Sequence, residues 1–156
     1  MIIRAYKEGD HEACLQIFES NCPPFFDPAE KDLFNNWLNG LDKGYFIRDH
    51  ISANHFYVLT NGTDIIACGG FYLVKDNGPA KLSWGMVKQS HHKKGWGTKL
   101  FQHRLTKLKD QYPGTKLALE TSQYSFSFYE RMGFKVEKII PNGLGAGLDR
   151  YEMMFY

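Results

Sequence analysis

The residues with the clearest chemistry are Lys88-Gln89-Ser90-His91-His92-Lys93-Lys94-Gly95-Trp96-Gly97-Thr98, a basic turn carrying two glycines. Before it, Leu82 to Val87 is an apolar run of strand character. After it, Leu100, Phe101, Leu105 and Leu108 recur at the spacing of one helix face. A strand, a glycine turn and a helix start in that order form an anion site. The first N–H groups of a helix have no partner inside it and point at whatever docks there. Gly95 and Gly97 lack a Cβ, so the backbone can turn sharply and approach a ligand closely. From Lys88 to Lys109 there is no Asp or Glu, so the local field has the same sign as the helix end. The expected ligand bears phosphate.

Spacing excludes two common phosphate loops. A Walker-type loop ends Gly-Lys-Ser/Thr, whereas Gly97 is followed by Thr98-Lys99. A dinucleotide fingerprint needs Gly or Ala where Leu100 stands. The segment that remains, His92-Lys93-Lys94-Gly95-Trp96-Gly97, resembles the Gln/Arg-x-x-Gly-x-Gly/Ala pyrophosphate loop of the GNAT superfamily, the acetyl-CoA-dependent N-acetyltransferases. His92 stands where that family usually has Gln or Arg. A second stretch, Phe128-Tyr129-Glu130-Arg131-Met132-Gly133-Phe134, resembles the family's late Phe-Tyr-x-x-x-Gly-Phe signature at every place. A helix and a strand separate the two motifs, as in the family.

The elements that must position these residues read in order. Ile2–Tyr6 is a strand, and a helix follows with Asp10 as its N-cap. Asn21 to Phe26 is a rigid aromatic loop. The next helix is signed by Asp27 as cap, Pro28, Glu30 three after the cap and Gly40 as the stop, with Leu33, Phe34, Trp37 and Leu38 as its stripe. His55–Leu59 and Ile65–Val74 are strands joined at Asn61-Gly62. Strands at Lys81–Val87 and Lys116–Glu120 flank the helix that follows the basic turn. A short helix, Ser125–Met132, precedes the last strands, Phe134–Ile140 and Arg150–Tyr156. The late glycine-rich stretch, Gly143 to Gly147, is either a hairpin connection or a cover over the acceptor cleft. This order predicts an α/β domain with a mixed sheet of about seven strands flanked by about four helices. It also matches the GNAT-like acyl-CoA N-acyltransferase fold, and the resemblance implies one N-acetyltransferase domain over residues 1–156.

Composition narrows the classes. A net charge of +2 is too small to argue for nucleic acid as partner. Cys14, Cys22 and Cys68 are scattered, and His91-His92 has no third ligand at a useful spacing, so neither a disulfide framework nor a metal is expected. No apolar run is long enough to suggest a signal peptide or a bilayer span, so a cytoplasmic home is the default expectation and no membrane partner is expected.

The resemblance implies acetyl-CoA as co-substrate. Its pantetheine arm is expected on main-chain groups of Met86, Val87 and Lys88, and its pyrophosphate on the turn formed by His92, Lys93, Lys94, Gly95, Trp96, Gly97 and Thr98. Tyr129 is the expected general acid, because a phenol of pKa about 10 is protonated near neutrality and can supply a departing thiolate. A base is not assigned: the strand from Lys81 has no carboxylate, and Glu120, at the end of the next strand, is the candidate. A water relay or an amine arriving partly deprotonated are alternatives. Phe25, Phe26, Tyr72 and Trp84 are candidates for a substrate wall or for ordinary core. Each sharp reading has a plain one beside it: Gly95–Gly97 as a turn only, Trp96 as a brace, Tyr129 as packing. The function implied is acetyl transfer to a primary amine of a small molecule or peptide. A non-catalytic acyl-CoA sensor is the alternative, and a homodimer is compatible with either.

Overall fold

The middle of the chain carries its strongest strand signals, and these become a meander of β2 (Ile51–Thr60), β3 (Ile65–Val74) and β4 (Ala80–Val87). The edge strand β1 (Ile2–Ala5) pairs antiparallel with β2. Between β1 and β2 lie helices α1 (His11–Ser20) and α2 (Glu30–Lys43). After β4 come α3 (Trp96–Gln111), β5 (Leu117–Thr121), α4 (Phe126–Met132) and the hairpin β6 (Phe134–Gly145) and β7 (Leu148–Phe155). This computed structural model describes residues 1–156. The seven strands form one mixed sheet ordered β1-β2-β3-β4-β5-β7-β6, in which only β4 and β5 run parallel.

The side chains of β2 and β3 alternate between two cores, as a pleated strand requires. Phe56, Val58, Cys68 and Tyr72 join Phe18, Phe34, Trp37 and Leu38 of α1 and α2. Tyr57 and Phe71 instead join Phe101 and Leu108 of α3, with Leu119 and Met153. The helices therefore cover opposite faces of the sheet. Phe34 and Leu38 are fully enclosed, and each such side chain contributes about 1.5–3 kcal/mol relative to leaving it in water.

Several local expectations need correction. α2 does not stop at Gly40, which is buried inside it; the helix runs to Lys43 and is closed by left-handed Gly44. A Cβ at Gly40 would lie 2.8 Å from the Tyr45 carbonyl, so a glycine stands there for close packing. Asp27 and Glu30 do make the reciprocal capping bonds, Ala29 N–H to Asp27 at 2.8 Å and Asp27 N–H to Glu30 at 2.9 Å, but regular helix begins only at Glu30. Leu33 of the expected stripe is exposed. Asp10 precedes α1 without capping it, because its buried carboxylate takes a two-pronged pair from Arg4 (2.7 and 2.9 Å) and the Lys7 N–H. The late glycine-rich stretch is mostly strand: β6 extends through Pro141 to Gly145, and only Ala146-Gly147 turn the hairpin.

At the other end of α2, Asp42 accepts from the Tyr6 hydroxyl at 2.7 Å and bonds His11 Nδ1 at 2.6 Å, while His11 Nε2 lies 2.8 Å from Asn35. Burial pushes the His11 imidazole down, yet the bonds to Asn35 and Asp42 outweigh it and raise its pKa.

Candidate functional site

The sheet opens between its two parallel strands. β4 and β5 pair at Ala80–Leu117 and Lys81–Ala118 and then separate. The cause lies in β4. Cys68 pairs with Met86 but Gly70 with Ser83, so Gly69 alone faces both Trp84 and Gly85, a β-bulge. Trp84 takes the extra turn at φ 47°, a left-handed conformation costly for a bulky residue. Gly69 and Gly85 make the close approach feasible, since a Cβ on Gly69 would lie 2.9 Å from the Gly85 Cα. A cavity of about 870 Å³ fills the opening and passes from α2 on one face to α3 and α4 on the other.

One end of the cavity is the basic turn. Lys93 (φ 60°) and Gly95 (φ 85°) are both left-handed, and residues of that kind aim neighbouring N–H groups into one concavity. The first helical bond of α3 runs from Lys99 N–H to Gly95 O at 3.1 Å, and the N–H groups of residues 93–98 have no protein acceptor. Phe128 of the late motif packs over the turn, its ring 3.5 Å from where a Gly97 Cβ would sit. The two motifs read from the sequence therefore meet in space.

The expected cofactor residues do not all face this cavity. Met86, Val87, His92, Lys93, Gly95, Trp96, Gly97 and Thr98 line it; Lys88 and Lys94 do not. The Lys88 N–H is already donated to Ile66 O at 2.7 Å, within the β3–β4 ladder, and so is unavailable to an arm lying along β4. Strand alternation then turns the main chain of Val87 towards the opening. Its carbonyl accepts from Asn21 Nδ2 at 2.9 Å and from His92 Nε2 at 2.8 Å. His92 therefore staples the start of the turn to the end of β4, with its ring edge against Phe25 at 5.3 Å. Trp96 braces the turn, with Lys99 Nζ 5.5 Å above its ring.

Tyr129 lines the cavity with its ring against Phe128 (5.1 Å) and Phe134 (5.7 Å). Its ring packs against the second core cluster, and its hydroxyl makes no hydrogen bond to protein. Glu120 and Glu30 are the two carboxylates on the wall. Glu120 lies 3.6 Å from Lys81 Nζ. Glu30 is held by the Asp27 N–H, and burial pushes its carboxyl up.

The aromatic candidates serve both as core and as wall. Phe26, Tyr72 and Trp84 pack with the first core cluster and also line the cavity. Trp84 sits against Phe34 (4.9 Å) and Phe26 (6.1 Å). Phe25 packs between His92 and Tyr124. Gly143 and Leu144 also reach the cavity, so the end of β6 both connects and covers.

Arg104 was missed by sequence reasoning. Its side chain is 2% exposed, its Nη1 reaches only Gly70 O at 3.3 Å, and its Nε has no acceptor. It pairs with no carboxylate and lies directly against Gly85 on the cavity wall. A signal was present: Arg104 stands four residues after Leu100 and four before Leu108, inside the apolar stripe of α3. Trp37 and Ser83, both buried on the wall, were also missed. No group of three His, Cys, Asp or Glu side chains is placed to hold a metal, and no helix is long and apolar enough to cross a membrane.

Comparison with known proteins agrees with this geometry. No curated protein matches the sequence. A GNAT-family acetyltransferase structure from Desulfovibrio desulfuricans is 22% identical with a TM-score of 0.79, over 99% of this chain and 97% of its own. A ribosomal-protein-alanine N-acetyltransferase from Brucella melitensis is 16% identical with a TM-score of 0.69, over 99% and 98%. An aminoglycoside 6′-N-acetyltransferase complexed with coenzyme A is 14% identical with a TM-score of 0.72, over 99% and 96%. At these identities the likeness is one of fold. The family model of the acetyltransferase (GNAT) domain matches residues 35–155, most of the chain and both motifs, and the chain therefore belongs to the GNAT acetyltransferase family.

Proposed function

We propose that this protein transfers the acetyl group of acetyl-CoA directly to a primary amine held in the opening between β4 and β5. The observation that carries the reading is the run of unpartnered N–H groups over residues 93–98 at the head of α3, opening into the cavity. Such a run fits a pyrophosphate, and the helix end and basic side chains favour the same charge. The Val87 N–H serves the arm, since the Val87 carbonyl is taken by Asn21 and His92, and a backbone N–H at the β4 bulge polarises the thioester carbonyl.

The amine nitrogen attacks that carbonyl carbon, the carbon–sulfur bond breaks, and Tyr129 gives its proton to the leaving sulfur. The nitrogen's proton passes to a base. Glu120 takes that role directly or through water. Glu30 is the other carboxylate within the cavity, and burial there raises its pKa. Structures of this fold named for aminoglycoside and for ribosomal-protein-alanine acceptors are 14% and 16% identical to this chain.

Thermal unfolding with acetyl-CoA, CoA or ATP tests the reading. A ligand at a hundred times its dissociation constant stabilises by about 2.7 kcal/mol. The expected result is a higher melting temperature with both CoA species, little change with ATP, and thiol release when a suitable amine is added. No shift with any CoA species at millimolar concentration overturns the proposal. A shift without turnover on any amine favours an acyl-CoA sensor.

A further inference from the structure

The acceptor half of the cavity is rich in hydrogen-bond donors without partners, and they gather around Tyr72. The indole of Trp37 packs 5.4 Å from the Tyr72 ring; it is 4% exposed, and its Nε1–H has no acceptor. Lys81 is the cross-strand partner of Tyr72, and Ser83 follows two residues along β4 on the same face. Ser83 is 7% exposed, and its hydroxyl has no partner either. Arg48 lines the same region without an ion pair. Burial raises the Tyr72 phenol's pKa, the nearby Arg48 charge pulls it down, and the Glu120 carboxylate, itself paired with Lys81, pushes it up. The Tyr72 hydroxyl makes no hydrogen bond.

A buried donor without an acceptor is costly, and two on one wall ask for a common ligand. The ligand that satisfies a guanidinium, an indole N–H and two hydroxyls together accepts several hydrogen bonds and carries negative charge. A polycationic acceptor fits poorly. Of the two wall carboxylates, Glu120 is paired with Lys81 and Glu30 is engaged by the Asp27 N–H. Asp27, an acidic residue that could have suited a cation, lies against Gly145 and does not line the cavity.

Resting on the acetyltransferase reading, we infer that the acceptor is an amine bearing a carboxylate, of the α-amino-acid class. The carboxylate is held by Trp37 Nε1–H, the Arg48 guanidinium and the hydroxyls of Tyr72 and Ser83. Ser83 adjoins the bulge at Trp84-Gly85, so a carboxylate held beside it leaves an amine on the neighbouring carbon next to the β4–β5 opening.

The test compares free L-amino acids with their carboxamides in a thiol-release assay. The carboxamide has the less basic amine, so a preference for the free acid cannot come from amine ionisation. At least one amino acid is expected to show kcat/KM about tenfold or more above its carboxamide, the scale of a charge-assisted hydrogen bond. In Arg48→Gln, an exposed position, KM for that amino acid rises about tenfold while the carboxamide's stays. Trp37→Phe keeps an aromatic ring of smaller size, loses the N–H and moves KM in the same direction, with melting temperature measured alongside to separate the lost volume from the lost donor. Carboxamides used as well as the acids, or no amino acid consumed by protein that binds acetyl-CoA, overturns this inference alone. Absence of acetyl-CoA binding in the same samples overturns the acetyltransferase reading beneath it.

Discussion

Substituting alanine at Gly95 and, separately, at Gly97 distinguishes a conformational need for glycine from a steric one. A Cβ on Gly95 meets nothing within 4 Å, so contact contributes no cost. Its φ of 85° is left-handed, and an L-residue there loses about 1–2 kcal/mol. Gly97 has no such conformation, and its added Cβ would touch the Phe128 ring at 3.5 Å and Val87 Cγ2 at 3.8 Å, ordinary contact distances. Gly97→Ala should therefore be neutral or stabilising, by up to about 1 kcal/mol. For a chain of this size, 1 kcal/mol corresponds to about 2–4 °C in melting temperature. Differential scanning calorimetry should place Gly95→Ala about 2–8 °C below wild type and Gly97→Ala at or slightly above it. The shift produced by acetyl-CoA should shrink in Gly95→Ala, whose N–H groups are re-aimed, and persist in Gly97→Ala. A Gly95→Ala protein that melts with wild type, or a Gly97→Ala protein that melts below it, refutes the reasoning.

Tyr129→Phe removes a hydroxyl that no protein group bonds, so stability should change little while kcat falls about a hundredfold or more; unchanged turnover removes Tyr129 as the acid. His11 is held above its usual pKa of 6.5 in the folded chain, so its contribution is complete below that pH and is lost as pH rises through the folded value. Melting temperature should accordingly decline from pH 6.5 upward, and His11→Gln should flatten that decline; equal slopes in the two proteins would sink the assignment. Arg104 is buried with one long hydrogen bond and no counter-ion, so Arg104→Met should unfold no earlier than wild type in urea. A loss of several kcal/mol would mean that the guanidinium holds the β4 bulge together.

The elements and both motifs were legible because their signals are local. Asn61-Gly62 marks the β2–β3 connection, the Asp27 and Glu30 pair marks the entry to α2, and Gly133 marks the end of α4. Where readings failed, a tertiary contact overrode the local sign. Gly40 reads as a helix stop, yet it is buried where the Tyr45 carbonyl leaves no room for a Cβ. Asp10 reads as a cap, yet Arg4 takes its carboxylate.

The sequence by itself determined the family, the order of elements and the existence of a basic glycine turn at a helix start. Each depends on residues within one short stretch, where glycine, charge and apolar period act directly on the backbone. Only the tertiary structure decided how the wall is charged and which of its donors lack partners. Lys81 and Glu120 meet across two strands, Trp37 reaches Tyr72 from a helix, and Arg104 comes beneath Gly85 from another. Such partnerships join residues far apart in the chain, and whether a polar group is satisfied depends on every neighbour it finds after folding.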